Sequence, residues 1–440
     1  MLRAIKKIIE SLVPGIVLSK IRDGYHLALA SFGAFVYSYP ARYLLVVGVT
    51  GTKGKTTVTE MLNTILEEAG YATCLINSIR FKIGETSERN NTRMTMPGRF
   101  FIQRFLHTAV RRDCTAAIIE MTSEGAQQYR HRFIDMDALI FLNLAPEHIE
   151  SHGSFTQYGN AKFEIGRELV RSRKRPRIIV AHVDDKESPR YLTLPVELAL
   201  PFSLSGCTPF FADERGGYFT FGEAKIEIHL PGEFSLKNAL AAATLARALP
   251  VFGGERTISI PVIARALNQI KTIPGRAEMI DAGQDFTVVV DYAHTPDSLA
   301  ALYSAYKGIK KICVLGAAGG GRDTWKRPIM GAIAEEHCDT VILTNEDPFD
   351  EDPRQIAEDI AHGMSKHPTI LLDRREAIRY ALEQAYTLRQ AQGDQNGYAV
   401  LITGKGTDVS IAEGKGKALP WSDAEVTHDE IGKLLGSRAV

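Results

Sequence analysis

The sequence predicts an α/β protein: two doubly wound, mainly parallel sheets in tandem behind a short helical segment. Three observations carry that expectation. Apolar strand-like runs alternate with helix-forming segments from Tyr43 to a break at Pro274–Gly275, and a second alternation follows the break. A glycine-rich stretch, "GVTGTKGKTT" at residues 48–57, separates the first strand from the first helix. The chain's 440 residues suffice for two or three domains with sizeable cores.

Residues 1–42 read as helical. Within them "YHLALASFGAFVYSY" is apolar but shorter than the roughly 20 residues needed to span a bilayer. Arg3, Lys6, Lys7, Lys20, Arg22 and Arg42 surround it. The segment therefore reads either as basic amphipathic helices in peripheral contact with a membrane or as a helical pair packed on the next domain, the second being favoured. From Tyr43, "YLLVVGV" is a buried strand and "TTVTEMLNTILEEAG" a helix closing at Gly70. Further strands are expected at "AAIIEM", "DALIFLNL" and "RIIVAHV". "PFFADERGGYFTFGEAKIEIHLPGEF" has short alternating runs, the pattern of a small antiparallel patch, and "LKNALAAATLARALPVFG" is a helix. Together these define a central domain of phosphate-loop type over residues 43–275. Beyond the break, "FTVVVDYA", "KICVLGAAGGG", "TVILTN", "TILLD" and "YAVLITGKG" are strands of a smaller Rossmann-like domain over residues 276–440. "RQAQGDQNG" reads as an exposed loop and "EGKGKALP" as a solvated hairpin turn.

Lys+Arg and Asp+Glu are balanced at 52 each, so no global field favours nucleic acid. The five cysteines (Cys74, Cys114, Cys207, Cys313, Cys338) have no CxxC spacing and read as reduced, mostly buried thiols of a cytoplasmic protein. No secretory signal is evident in "MLRAIKKIIESLVPG".

A glycine-rich loop between strand and helix presents backbone N–H groups and a helix N-terminus to phosphate oxygens. Gly51, Thr52, Lys53, Gly54 and Thr57 would line it, Lys55 would reach the outer phosphates, and the Thr56 hydroxyl would ligate Mg²⁺. In "APEHIESHG", His148 and His152 flank Glu150, which invites a zinc reading, but the spacing is not HExxH. His148 could instead join Glu120, at a strand end, around a second Mg²⁺, or be structural. "GAAGGGRD" resembles a dinucleotide loop without the GxGxxG order.

Taken together, "TGTKGKTT", "NLAPEHIESHG", "VDYAHTPDSL", "GRDTWKRPIMGAIAEE", "DRREAI" and "GKGTD" resemble the Mur ligase family, in particular its third-residue-adding tripeptide synthases, over residues 43–440. The resemblance implies an ATP-dependent amide ligase of peptidoglycan precursor synthesis, acting as a cytoplasmic monomer with two Mg²⁺ ions. It implies that Lys55 and Thr56 meet ATP phosphate and Mg²⁺, that Glu120 and His148 serve the second metal, and that Lys162 of "YGNAKFE" becomes a carbamate bridging to Mg²⁺. Asn238, Arg276, Asp291, His294 and Lys326 match nucleotide contacts. Thr95, Ser123, Gln128 and Arg130 match positions facing the muramoyl-peptide acceptor, and Arg322, Gly404 and Asp408 match contacts to the incoming amino acid. The family's first domain, which holds the uridine nucleotide, has no counterpart in the forty residues before the loop. "SSH" is here "TSE", "TTP" is "TMP", and the "DNPR" that selects diaminopimelate aligns with Glu346–Phe349, "EDPF". A pocket with Glu346 and Asp347 and with Phe349 for arginine favours an amino acid with a cationic end, such as lysine. Two alternatives stay open: a folylpolyglutamate-type or other ligase with a non-UDP acceptor, and a non-catalytic nucleotide-binding partner.

Overall fold

The computed structural model describes residues 15–147, 149–392 and 397–436. They form two compact units. One gathers the chain up to Leu144 with Thr156–Phe202 and Ala241–Ile258; the other gathers Ala145–Phe155, Ser203–Leu240 and the chain from Ser259.

The first unit is built on an eight-stranded sheet. Its strands are β1 (Leu45–Thr50), β2 (Thr73–Ile76), β3 (Arg80–Ile83), β4 (Thr86–Arg89), β5 (Ala116–Glu120), β6 (Ala138–Phe141), β7 (Ile178–His182) and β8 (Leu198–Phe202), in the order β4-β3-β2-β5-β1-β6-β7-β8. Six strands are parallel, and β3–β4 is an antiparallel hairpin on one edge. The central strands are buried throughout, as "VVGVT" and "AAIIE" require, because helices cover both faces of a parallel sheet. Parallel strands deliver their following loops to one edge. The carboxyl ends of β1, β2, β5 and β6 therefore gather the glycine-rich loop, Ser78, Glu120 and Asn143.

The helix Gly15–Val36 packs on the helix Arg99–Arg111, with Ala30 and Ala34 buried and Phe32 edge-on to Phe100 at 6.0 Å. Its outer face leaves Ile21, Tyr25, Phe32 and Phe35 more than half exposed. No described helix is long and apolar enough to cross a membrane. The other half of the expected helical pair lies outside the described residues.

In the second unit β12 (Glu278–Met279), β13 (Thr287–Asp291), β14 (Lys310–Leu315), β15 (Thr340–Leu343), β16 (Thr369–Ile370) and β17 (Tyr398–Thr403) are ordered β12-β13-β17-β14-β15-β16, all parallel except β12. The antiparallel patch forms as β9 (Phe210–Ala212), β10 (Gly217–Phe221) and β11 (Ala224–Ile228), and "EGKGKALP" turns the hairpin of β18 (Ser410–Ala412) and β19 (Ala418–Pro420).

Two expectations are corrected. Cys313 and Cys338 form a disulfide; Cys74, Cys114 and Cys207 are free. Cys313 lies in β14 and Cys338 just ahead of the adjacent β15, which brings their Cα atoms to 6.2 Å, a proximity that strand order creates and a spacing of 25 residues does not announce. The stretch read as a loop from Arg389 begins as helix: Arg374–Gln392 continues through "RQAQ", whose residues are good helix formers.

Candidate active site

The glycine-rich loop leaves β1 and enters the helix Lys55–Glu68. Gly51 has φ 154° and a Cβ there would stand 2.9 Å from Leu142 Cβ; Gly54, at the helix N-cap, has φ 84°. Only glycine meets both demands without strain. Side chains from elsewhere pin the loop. Asn143 Oδ1 accepts from Thr52 N (3.1 Å) and Lys53 N (2.8 Å), Tyr158 OH lies 3.0 Å from Thr52 Oγ1, and Lys55 Nζ donates to Thr52 O at 2.9 Å.

Behind the loop the Thr56 hydroxyl donates to Glu120 Oε2 at 3.0 Å. Ser78 adds its N–H to the same oxygen at 3.0 Å and its hydroxyl to Oε1 at 3.2 Å, and Thr95 Oγ1 lies 2.9 Å from Ser78 Oγ. Glu120 is 2 % exposed, and these donors satisfy the oxygens of the buried side chain. Among the described residues no cluster of three or more His, Cys, Asp or Glu forms a metal cage. Thr56 and Glu120 carry hard oxygens of the kind Mg²⁺ takes, an ion that binds one or two protein oxygens and completes its shell with water and phosphate. His148 lies outside the described residues. Lys162, 2 % exposed, donates from Nζ to Gly51 O at 2.8 Å and sits 4.8 Å from the Tyr158 ring centre.

Ser123 is buried at the start of the short helix Ser123–Gln127, which Thr122 caps by accepting from Gly125 N. Arg130 donates to Gln128 Oε1 at 2.7 Å and to Met96 O.

The second unit carries its own cluster. His294 Nε2 lies 2.9 Å from Glu147 Oε1, and Lys326 Nζ donates to His294 O at 2.8 Å. Asp291 accepts from Ala277 N (2.6 Å) and Ala293 N (2.7 Å), so its carboxylate also shapes the turn that presents Arg276, whose guanidinium is 4.6 Å from the Tyr292 ring centre. Asn238 is half-buried on the helix Gly232–Ala248. Glu150 accepts from Thr324 N at 3.2 Å and its own N–H donates to Asp323.

The residues expected at the amino acid gather at the carboxyl edge of the second sheet. Arg322 is 5.5 Å from the centre of the Phe349 ring. Asp347 and Asp408 do not stand free: the buried Lys405 Nζ donates to both, at 2.8 and 3.2 Å, and Asp347 also accepts from Ala412 N. Glu346 is 5 % exposed and its Oε2 has no hydrogen-bond partner among the described residues. A Cβ at Gly404 would stand 2.4 Å from that oxygen, so glycine is what lets the carboxyl lie there. Burial pushes the Glu346 carboxyl above its ordinary range, Lys405 opposes the rise and Asp347 adds to it.

A raised acid binds its proton more tightly in the folded state. Its contribution to stability is therefore present at acid pH and lost as pH rises from the unfolded carboxyl's range, about 4.3, through the raised value. Glu346→Gln is expected to remove this loss, so the variant's melting temperature should gain on the wild type as pH rises from about 4 to about 8. A difference constant across that range would show that Glu346 stays ionised with its charge met.

Asn143, Tyr158, Ser78, Lys405 and Glu147 were not singled out from the sequence. Asn143 and Glu147 lie within "NLAPEHIESHG", Tyr158 within "YGNAKFE" and Lys405 within "GKGTD", so the motifs contained them; Ser78 lies in none of the quoted motifs.

A glycine-rich phosphate loop backed by a hydroxyl–carboxylate pair defines the nucleotide-triphosphate-using class of α/β enzymes. Within it, the model of the Mur ligase middle domain matches residues 49–246, and that of the Mur ligase glutamate ligase domain matches residues 275–406. The chain belongs to the Mur ligase family of ATP-dependent ligases. It is 34 % identical to the UDP-N-acetylmuramoyl-L-alanyl-D-glutamate--2,6-diaminopimelate ligase of Geobacillus kaustophilus, over 90 % of this chain and 79 % of that one. It is 33 % identical to a UDP-N-acetylmuramyl-tripeptide synthetase of Roseiflexus, over 93 % and 82 %. Among solved structures a UDP-N-acetylmuramoyl-L-alanyl-D-glutamate--2,6-diaminopimelate ligase aligns with TM-score 0.57 at 25 % identity over 89 % of this chain and 79 % of that one. A Mycobacterium tuberculosis folylpolyglutamate synthase aligns with TM-score 0.67 over 93 % and 95 %; at 16 % identity it shows the fold alone.

Proposed function

We propose that this ligase extends a muramoyl-peptide-like acceptor by one amino acid through an acyl phosphate. The observation that carries the proposal is the Thr56–Glu120–Ser78 hydrogen-bonded set beside the phosphate loop, with Lys162 on the loop's Gly51 carbonyl. A carboxylate is a poor electrophile. One of its oxygens attacks the γ-phosphorus of ATP, the bond to the bridging oxygen breaks, and ADP leaves. The amine of the incoming amino acid then attacks the acyl carbon, and phosphate departs as the amide forms.

Each residue's part follows from charge. Carboxylate and triphosphate repel, and Lys55 offsets that repulsion. Thr56 and Glu120 would hold Mg²⁺, with a carbamate on Lys162 as a further oxygen ligand; the metal would neutralise the phosphate oxygens and act as a Lewis acid. Asn143 and Tyr158 keep the loop shaped for phosphate, an effect of orientation. In the second unit Arg322 is suited to the amino acid's carboxylate, and Arg276, His294 and Lys326 to the nucleotide.

The test is phosphate release from ATP with the acceptor and the amino acid supplied separately and together. Release that requires both, and hydroxylamine capture of an acyl phosphate when the amino acid is withheld, is the expected result. ATP binding without release from any muramoyl peptide would overturn the reading and favour a nucleotide-binding partner.

A further inference from the structure

Arg99 and Arg130 are two neighbouring guanidiniums whose hydrogen-bond partners among the described residues include no carboxylate. Arg99 opens the helix Arg99–Arg111, and its Nη2 donates to Gln128 O at 2.6 Å and meets His26 Nδ1 at 2.8 Å. Arg130 bonds Met96 O and Gln128 Oε1. Every one of these partners is neutral oxygen or imidazole; among the described residues neither arginine is hydrogen-bonded to a carboxylate, and Glu124 acts on Arg130 only through space. The Nε of each is buried without a hydrogen-bond partner among the described residues. Burial disfavours the charge of both, and Arg99 further disfavours that of Arg130, while Glu124 partly opposes this at Arg130 and Tyr25 at Arg99. Arg22, one turn before His26, adds a third positive charge that acts on the imidazole, which Asp23 opposes. Like charges held together, half-buried and with spare N–H donors, are costly unless an anion joins them.

The cluster continues the acceptor side of the site. Met96, whose carbonyl holds Arg130, follows Thr95, and Thr95 meets Ser78, which donates to Glu120 beside Thr56. One line of hydrogen-bonded residues thus runs within a single unit from the phosphate loop to the helix Gly15–Val36. A carboxylate to be activated belongs at the Glu120 end, where phosphate is bound. The rest of the acceptor, passing Thr95 and Met96, arrives at the guanidiniums.

We infer that His26 and Arg99 extend the acceptor site onto the N-terminal helix and, with Arg130, hold an oxyanion carried by the acceptor at a distance from the reacting carboxylate. This rests on the proposed function; Arg130 was expected there, whereas His26 lies ahead of the residues the family models match. The oxyanion has two sources in a muramoyl-peptide acceptor, a second peptide carboxylate or a phosphate of the carrier. Both take paired N–H donors from guanidinium, and a neutral His26 with Nδ1 facing Arg99 retains an Nε2–H to donate.

The experiment measures KM and kcat of Arg99→Gln, Arg99→Lys and His26→Ala in the full chain. Three acceptors are used: UDP-linked muramoyl dipeptide, muramoyl dipeptide, and the latter with its second carboxylate amidated. The expected result is an acceptor KM raised about tenfold to a hundredfold in Arg99→Gln, less in Arg99→Lys, with kcat and the KM for ATP within about twofold. An effect confined to the UDP-linked acceptor assigns the oxyanion to phosphate; one lost on amidation assigns it to carboxylate. Unchanged acceptor KM in both Arg99→Gln and His26→Ala overturns the inference. Should the wild type turn over no acceptor, the proposed function falls. Calorimetry with UDP-linked muramoyl dipeptide and muramoyl dipeptide then decides the site: binding weakened in both variants supports it, and equal binding or none in the wild type overturns it.

Discussion

Lys162→Ala is expected to lower turnover by about a hundredfold or more while ATP affinity changes by no more than about threefold. The amine of Lys162 is buried against the Gly51 carbonyl of the phosphate loop. If its ammonium first gives up a proton and the free amine then adds to carbon dioxide and releases a second, a cation becomes an anion with two hard oxygens beside the loop. That change would supply a further metal ligand to join the Glu120 carboxylate that Thr56 meets. Alanine removes the ligand and leaves the loop's contacts with Asn143 and Tyr158 in place, which is why nucleotide binding should survive. Raised bicarbonate is expected to increase wild-type turnover and to leave the variant unaffected, and mass spectrometry under bicarbonate should find the carbamate on the peptide containing Lys162. Wild-type turnover in Lys162→Ala would end the argument, whatever the mass spectrum shows.

The second large effect concerns which amino acid is added. Several relatives are named for 2,6-diaminopimelate, and this chain is expected to depart from them by preferring lysine or ornithine over meso-diaminopimelate by about tenfold to a few hundredfold in kcat/KM. Where the resemblance aligns an arginine, this chain has Phe349, whose ring lies 5.5 Å from the Arg322 guanidinium and which itself offers no cation to a second carboxylate. The structure alters the charge count behind this expectation. Lys405 partly neutralises Asp347 and Asp408, so Glu346, whose Oε2 has no hydrogen-bond partner among the described residues, becomes the acid with most to gain from an ammonium group. Phe349→Arg should shift preference toward meso-diaminopimelate. Position 349 has φ 53°, strained equally for phenylalanine and arginine, so the swap changes charge more than backbone cost. Phosphate release measured across the three amino acids decides it. A wild type that prefers meso-diaminopimelate refutes the charge argument.

The glycine-rich loop, the buried parallel strands, the antiparallel patch and the hairpin at "EGKGKALP" were legible in the sequence because each depends on near neighbours. Gly51 and Gly54 are required by local backbone angles, and an apolar run such as "LLVVGV" declares a strand buried on both faces whatever lies beside it. The candidate site residues were legible mainly through motif resemblance, which names positions without their partners. Only the tertiary structure decided that Asn143 pins a loop 91 residues earlier, that Ser78 holds Glu120 from 42 residues away, and that Lys405 takes up Asp347. The same holds for the Cys313–Cys338 bond and for His26 against Arg99. These contacts join residues on different strands and helices, and strand order decides which loops share an edge. Local pattern states that a strand exists and how deeply it is buried; it carries no record of which strand lies beside it, because hydrophobic burial is non-directional and backbone hydrogen bonds are the same for every pairing.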